Sequence, residues 1–214
     1  MSGEQERAPL LHVACLVYPS FQGTQAAIGA MLDAAASSSG PAELLTYAHG
    51  AYEAETSFVH HRVPDFPKNR SLRSGPSMRK ILLDLRCVVE LRRLVSVLQP
   101  AAIVAHHVEA AAAALAAHVR PVYYLAHTSL RDELPQYFPA LPASPISAFA
   151  GFCEQRLCAS VDGVAAVAPS LAQRLGPKTT YLPVPWKPTA QRPDDGQRLA
   201  ARRACGLSET APVC

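Results

Sequence analysis

The order of apolar runs and helix-forming stretches constrains this chain more than any single motif in it. The first run, His12-Val-Ala-Cys-Leu-Val-Tyr18, has no charged residue and no alternation. A strand of that kind must be covered on both faces, as in the middle of a parallel sheet. Pro19-Ser-Phe-Gln-Gly23-Thr-Gln25 then reads as a turn and 26–36 as a helix, stopped by Ser37-Ser-Ser-Gly40-Pro41. The same succession recurs to the end. Further strands are predicted over 43–47, 56–63, 101–105, 121–126, 161–167 and 179–183. Helices are predicted from a cap at Ser77 to about Leu98, over 109–118, 132–138, 147–159 and 170–175, with Pro139 to Pro145 as a loop.

Strands joined throughout by helical crossovers imply an α/β fold, a Rossmann-like, doubly wound parallel sheet. Met1 to Arg7 is polar and of mixed charge, and 1–10 reads as a flexible N-terminus. The domain is expected over 11–186. Pro183, Pro185, Pro188 and Pro193 mark a stiff linker, and 187–214 reads as that linker, a basic helix and the first residues of a second, truncated domain.

Hydrophobic residues make up 49% of the chain, enough for an ordinary core, and net charge is only +3. That balance gives no case for a nucleic-acid partner. Cys15, Cys87, Cys153, Cys158, Cys205 and Cys214 form no Cys-x-x-Cys pair, and Cys15 and Cys87 sit in apolar runs as expected of buried thiols. The N-terminus lacks a secretory pattern and 9–18 is too short to cross a bilayer, so a cytoplasmic location is expected.

In an open parallel sheet ligands bind beyond the carboxyl ends of the strands. That rule selects the loops at 19–25, 106–109 and 127–132. Gly23, followed by Thr24 and Gln25, precedes a helix whose N-terminal amides can hold an anion; its bland alternative is a tight turn. Neither Gly-x-Gly-x-x-Gly nor Gly-x-x-x-x-Gly-Lys-Ser/Thr occurs, which argues against a nicotinamide cofactor and a P-loop. No Gly-x-Ser-x-Gly elbow supports a hydrolase. His106 and His107 lack the further ligands a metal needs, so no metal is expected. His127 ends a buried strand at the ligand edge, where it can donate to a sugar hydroxyl or serve as a structural histidine. Lys68, Arg70, Arg73, Arg79 and Lys80, opposed in their loop by Asp65 alone, read either as a solvated surface or as a patch for an anionic acceptor or an acidic lipid surface. Phe149 and Phe152 are expected in the core.

Five stretches together resemble the N-terminal domain of glycosyltransferase family four. They are Tyr18-Pro-Ser-Phe-Gln-Gly-Thr-Gln25, Arg73-Ser-Gly-Pro-Ser77, Ala105-His-His-Val-Glu109, Ala126-His-Thr-Ser129 and Val161-Asp-Gly-Val-Ala-Ala-Val-Ala-Pro-Ser170. Tyr181-Leu-Pro-Val-Pro185 is similar to the family's hinge. The resemblance implies the first half of a two-domain GT-B architecture and retaining transfer of a hexose from a nucleotide-diphosphate sugar, as co-substrate, to a hydroxyl acceptor, with no bound cofactor. It implies His127 as the catalytic-site histidine that contacts the donor sugar, and Gly23, Thr24 and Gln25 on the donor phosphate side. On the acceptor side it implies His106 and Glu109, with Arg70, Arg73, Arg79 and Lys80 where lipid-acceptor members carry basic contacts, and hence peripheral attachment to the inner face of a membrane. The family carries two adjacent glycines in the first loop; here Gln22 replaces the first. The family's donor-gripping carboxylates lie in a second domain, so little or no turnover is expected of this chain alone. The competing expectation is a non-catalytic Rossmann-like module that pairs with another chain or docks on an anionic surface through 68–80.

Overall fold

The computed structural model describes residues 8–38, 40–48, 50–52, 56–64, 66, 75, 77–185 and 194–209. Its strands are β1 (Leu10–Ala14), β2 (Ala42–Thr46), β3 (Val59–Arg62), β4 (Ala102–His106), β5 (Val122–Ala126), β6 (Gly163–Ala166) and β7 (Thr179–Tyr181). Its α-helices are α1 (Gly23–Ser38), α2 (Met78–Leu98), α3 (His107–Ala116), α4 (Leu130–Glu133), α5 (Ala143–Ser160), α6 (Pro169–Leu175) and α7 (Asp195–Ala204). A 3-10 turn over Leu134–Tyr137 extends α4.

All seven strands form one sheet in the order β3-β2-β1-β4-β5-β6-β7, and every pairing is parallel. The Rossmann-like expectation therefore holds. The order reverses between β1 and β4, which opens a crevice at their carboxyl ends.

Two apolar clusters hold the layers together. Leu11, Val13, Leu45, Ile103 and Ala105 pack with Leu83, Cys87, Leu91 and Leu94 of α2 and with Ala110, Ala111, Ala113 and Ala114 of α3. On the opposite strand face Ala14, Ala42 and Leu44 pack with Ile28 and Leu32 of α1 and with Phe58. The alanines of α3 bury a helix face without side-chain bulk or rotamer entropy. Ser77 caps α2 as its position predicts, accepting from the Lys80 amide at 3.2 Å. Cys15 and Cys87 are buried thiols.

Two expectations need correcting. Helix α5 begins at Ala143 rather than Ser147, because Pro145 falls within its first turn, where no intrahelical N–H is needed. Phe149 and Phe152 are not core residues: they are 64% and 61% exposed. The face of α5 that turns inward carries Ala150 and Glu154 instead, four residues apart.

No helix among the described residues is long and apolar enough to cross a membrane. Helix α7 is locally closed by an Asp194–Gln197 capping box, and none of its residues is buried. Lys68, Arg70, Arg73 and Asp65 of the basic loop, most of residues 1–10, and Pro188 and Pro193 of the linker lie outside the described residues.

Candidate functional site

Strand register assembles the site. His12 lies two residues before Ala14 on β1, and so shares its face. Ala14 pairs with His106, the last residue of β4, and His106 pairs with Leu125 of β5. His127 follows Leu125 by two. All three imidazoles therefore project from one face of the sheet, stepping outward toward its carboxyl edge. The side chains meet: His12 Nδ1 lies 2.9 Å from His106 Nε2, and His106 Nδ1 lies 3.0 Å from His127 Nε2. The rings of His12 and His106 stack at 5.2 Å between centroids.

His106 is fully buried and His12 is 5% exposed, whereas His127 is half-buried. Burial disfavours the charged imidazolium throughout. It lowers His12 from its ordinary value to about 4 and His127 to about 3, with the neighbouring His107 adding repulsion at His127. His106 is pushed well below the usual range by burial and then by His12, His127 and His107. The three rings are neutral at pH 7.

His107 opens α3 with φ of +69°. For a residue with a Cβ this left-handed conformation is uncommon, though histidine is among the residues that tolerate it. The turn sends the chain from strand to helix in one step and lays the His107 ring 4.9 Å from that of His127. Sequence reasoning saw two adjacent histidines here. It did not see that one ends a strand and the other begins a helix, so that they face different neighbours.

His127 is anchored from below. Glu154 of α5, 3% exposed, accepts hydrogen bonds from Ser129 Oγ at 2.9 Å and from the Leu130 amide at 2.8 Å. These bonds fix the 127–130 turn and satisfy an amide at the start of α4 that has no partner within the helix. The turn itself gave no signal of a carboxylate donated by a helix twenty-four residues away.

Beside His107 is a cavity of about 130 Å³, lined by Ser77, Lys80, Asp84, His107, Glu109 and Glu133 among others. Glu109 is exposed and its carboxylate is 3.7 Å from Lys80 Nζ, so two expected acceptor-side residues meet in one hollow. Burial raises the Asp84 carboxyl above its ordinary range, opposed by the hydrogen bond it accepts from Tyr47 Oη at 2.5 Å. Arg79 is exposed on α2 and does not line this cavity.

The first loop forms a separate hollow of about 340 Å³, lined by Tyr18, Ser20, Phe21, Gln22, Gly23, Gln25 and Tyr52 among others. Gly23 is the first residue of α1 and is exposed, with open space where a side chain would stand, and Thr24 follows it half-buried. Gln25 is turned inward: its Nε2 donates to the Val17 carbonyl at 3.3 Å and to Gln22 Oε1 at 2.9 Å, tying loop to helix. Gly50 fits against the back of this loop. A Cβ there would lie 2.5 Å from Pro19 Cδ, 2.7 Å from Pro19 N and 2.8 Å from the Tyr18 carbonyl oxygen. Gly50→Ala is therefore expected to displace residues 18–23 and to cost about 1–3 kcal/mol. Urea unfolding reads the loss, and amide shifts confined to the loop read the displacement.

His127, His106 and His107 thus converge at the ends of β4 and β5, with Glu109 and Lys80 in the adjoining cavity. Gly23, Thr24 and Gln25 occupy the other side of the crevice, after β1. Among the described residues no group of three or more His, Cys, Asp or Glu side chains is arranged to hold a metal ion.

The sequence profile of Glycosyltransferase Family 4 matches residues 47–180. No curated protein matches the sequence. Among solved structures, sucrose-phosphate synthase from Thermosynechococcus elongatus superposes with a TM-score of 0.71 at 13% identity, over 96% of this chain and 54% of that one. A transferase from Siraitia grosvenorii in complex with UDP superposes with a TM-score of 0.50 at 11% identity, over 90% of this chain and 54% of that one. The chain thus spans about half the length of both.

Proposed function

Because the chain belongs to Glycosyltransferase Family 4, we propose that it is the acceptor-side, N-terminal half of a retaining enzyme. In this reading the enzyme moves a hexose from a nucleoside diphosphate sugar to a hydroxyl acceptor. The observation that carries the reading is the placement of His127: a neutral imidazole, hydrogen-bonded from behind, at the carboxyl edge of the sheet.

Glycosyl transfer builds positive charge on the sugar and negative charge on the departing phosphate. The amides at Gly23 and Thr24, at the start of the sixteen-residue α1, face the negative side. His127 orients the sugar through a hydrogen bond. It is not the base that takes the acceptor's proton, since an imidazole held near 3 is too weak at neutral pH and its hydrogen bond runs to His106 rather than to a carboxylate. The cavity beside His107 takes the acceptor. Its carboxylates Asp84, Glu109 and Glu133 outnumber Lys80, which favours hydroxyl donors over an anionic group at that point. A second domain closes over the crevice, supplies most nucleotide contacts and excludes water. The assembled enzyme works in the cytoplasm, with the exposed Arg79 turned to an anionic membrane face.

The test has two stages. Titration of the chain with UDP- and GDP-hexoses should move the NMR signals of 20–25 and 127–129 without releasing free nucleotide. Supplying a C-terminal domain of a family member as a second chain should start transfer, with the anomeric configuration kept in the product. Protection from heat by NAD and not by nucleotide sugars would sink the reading. So would salt-sensitive liposome binding with no transfer in any combination, which would make the chain a docking module.

A further inference from the structure

The three-histidine row does more than place His127 near a ligand. A neutral imidazole has one N–H donor and one bare acceptor nitrogen. His106 uses both nitrogens on other histidines. Whichever way one bond points, the other must point the same way, so the row has two states. In one, all three rings carry the proton on Nδ1; in the other, all three carry it on Nε2. The states differ at the two ends. At the inner end, His12 Nε2 is buried and has no protein partner among the described residues. With the proton on Nδ1 that atom is a bare nitrogen; with the proton on Nε2 it is a buried, unpaired N–H, the rarer defect in folded proteins. At the outer end, His127 spends Nε2 on His106, which leaves Nδ1 as the ring nitrogen for a ligand.

We propose that His12 and His106 are positioning residues that lock His127 into the tautomer with its proton on Nδ1, so that it presents an N–H donor to a hydroxyl or other neutral oxygen of a sugar at the sheet edge. The direction is set at the buried inner end of the row, at His12, which lies 115 positions from His127 in sequence. The ligand class rests on the glycosyltransferase reading; the tautomer lock does not. The row also explains why a histidine stands in the otherwise apolar β1, where a leucine would bury more surface. A second acceptor from the ligand strengthens the same direction, since hydrogen bonds in a chain polarise one another.

The experiment is ¹⁵N NMR of the chain labelled at histidine, because the two ring nitrogens resonate in separate ranges according to which one carries the proton. At pH 7 His12, His106 and His127 should each show a protonated Nδ1 and a bare Nε2. His12→Phe keeps a ring but removes the first bond; His106 Nε2 then becomes the buried end, where a bare nitrogen is again the lesser defect, so His127 should keep its proton on Nδ1. His12→Asp, whose carboxylate only accepts, should draw the His106 proton to Nε2 and turn His127 to the Nε2–H form. A wild-type His127 protonated on Nε2 overturns the proposal even if no variant folds. So does a folded His12→Asp chain whose His127 keeps its proton on Nδ1. None of these measurements needs a substrate, so the lock can fail while the sugar reading stands. Conversely, an intact lock with no response of His127 Nδ1 to UDP-glucose or GDP-mannose defeats the sugar reading alone.

Discussion

Lowering the pH from 7 to 5 is expected to remove about 2 kcal/mol of folding stability through His12 alone, with His106 and His127 adding losses over the same window. An unfolded imidazole titrates near 6.5 and His12 in the folded chain near 4. Between those values the unfolded chain holds more protons than the folded one, so stability falls as pH falls. The contribution is fully present above about 6.5 and is spent by about 4, where it totals about 3 kcal/mol for this residue. His127 follows the same course down to about 3. Asp84 works in the opposite sense, because its folded carboxyl is raised and holds a proton the unfolded chain has lost. One carboxyl does not offset three imidazoles held below their ordinary range. Urea unfolding at pH 7, 6 and 5 measures the slope. A flat profile would mean that the row is open to water or already broken in solution, and His12→Asn should reduce the slope where the row is intact.

The second large effect is expected at Glu154. Replacing it by alanine strands the Ser129 hydroxyl and the Leu130 amide that it holds at 2.9 and 2.8 Å. Hydrogen bonds to an ionised group contribute about 1.5–3 kcal/mol each, and relief of the buried charge returns part of that. The expected net loss is about 3 kcal/mol, with Glu154→Gln losing clearly less because an amide oxygen can still accept. The consequence is local as well as global. The 127–130 turn loses its anchor, so the His106–His127 bond should loosen, visible as exchange broadening of the His127 ring signals. Equal stability of the Ala and Gln variants, or an undisturbed His127 in the alanine variant, would show that the turn holds itself.

Both effects depend on contacts that differ in how well the sequence announces them. The strands, their alternation with helices and the parallel sheet were legible because they follow from short-range periodicity: an unbroken apolar run needs cover on both faces. The ligand edge was legible because it follows from topology, and His127 sits where a strand ends. The Ser77 cap was legible because the side chain acts three residues away. Gln25 was visible as a polar residue near the loop, but its inward turn toward Val17 was not. Phe149 and Phe152 were misread because side-chain apolarity does not say which face of a helix meets the sheet; the partner of Glu154 decides that.

The residue order alone thus fixed which segments extend, which coil, and that the sheet is parallel, since each choice is made by neighbours within a few positions. Tertiary structure alone decided that His12 reaches His106 and that His106 reaches His127. Those bonds exist because Ala14 pairs with His106 and His106 with Leu125. Register between parallel strands is set by whole helical crossovers packing onto the sheet, and a slip of one residue would turn each ring to the opposite face. No window of sequence contains that choice, because its energy is distributed over the α1, α2 and α3 contacts that close the core.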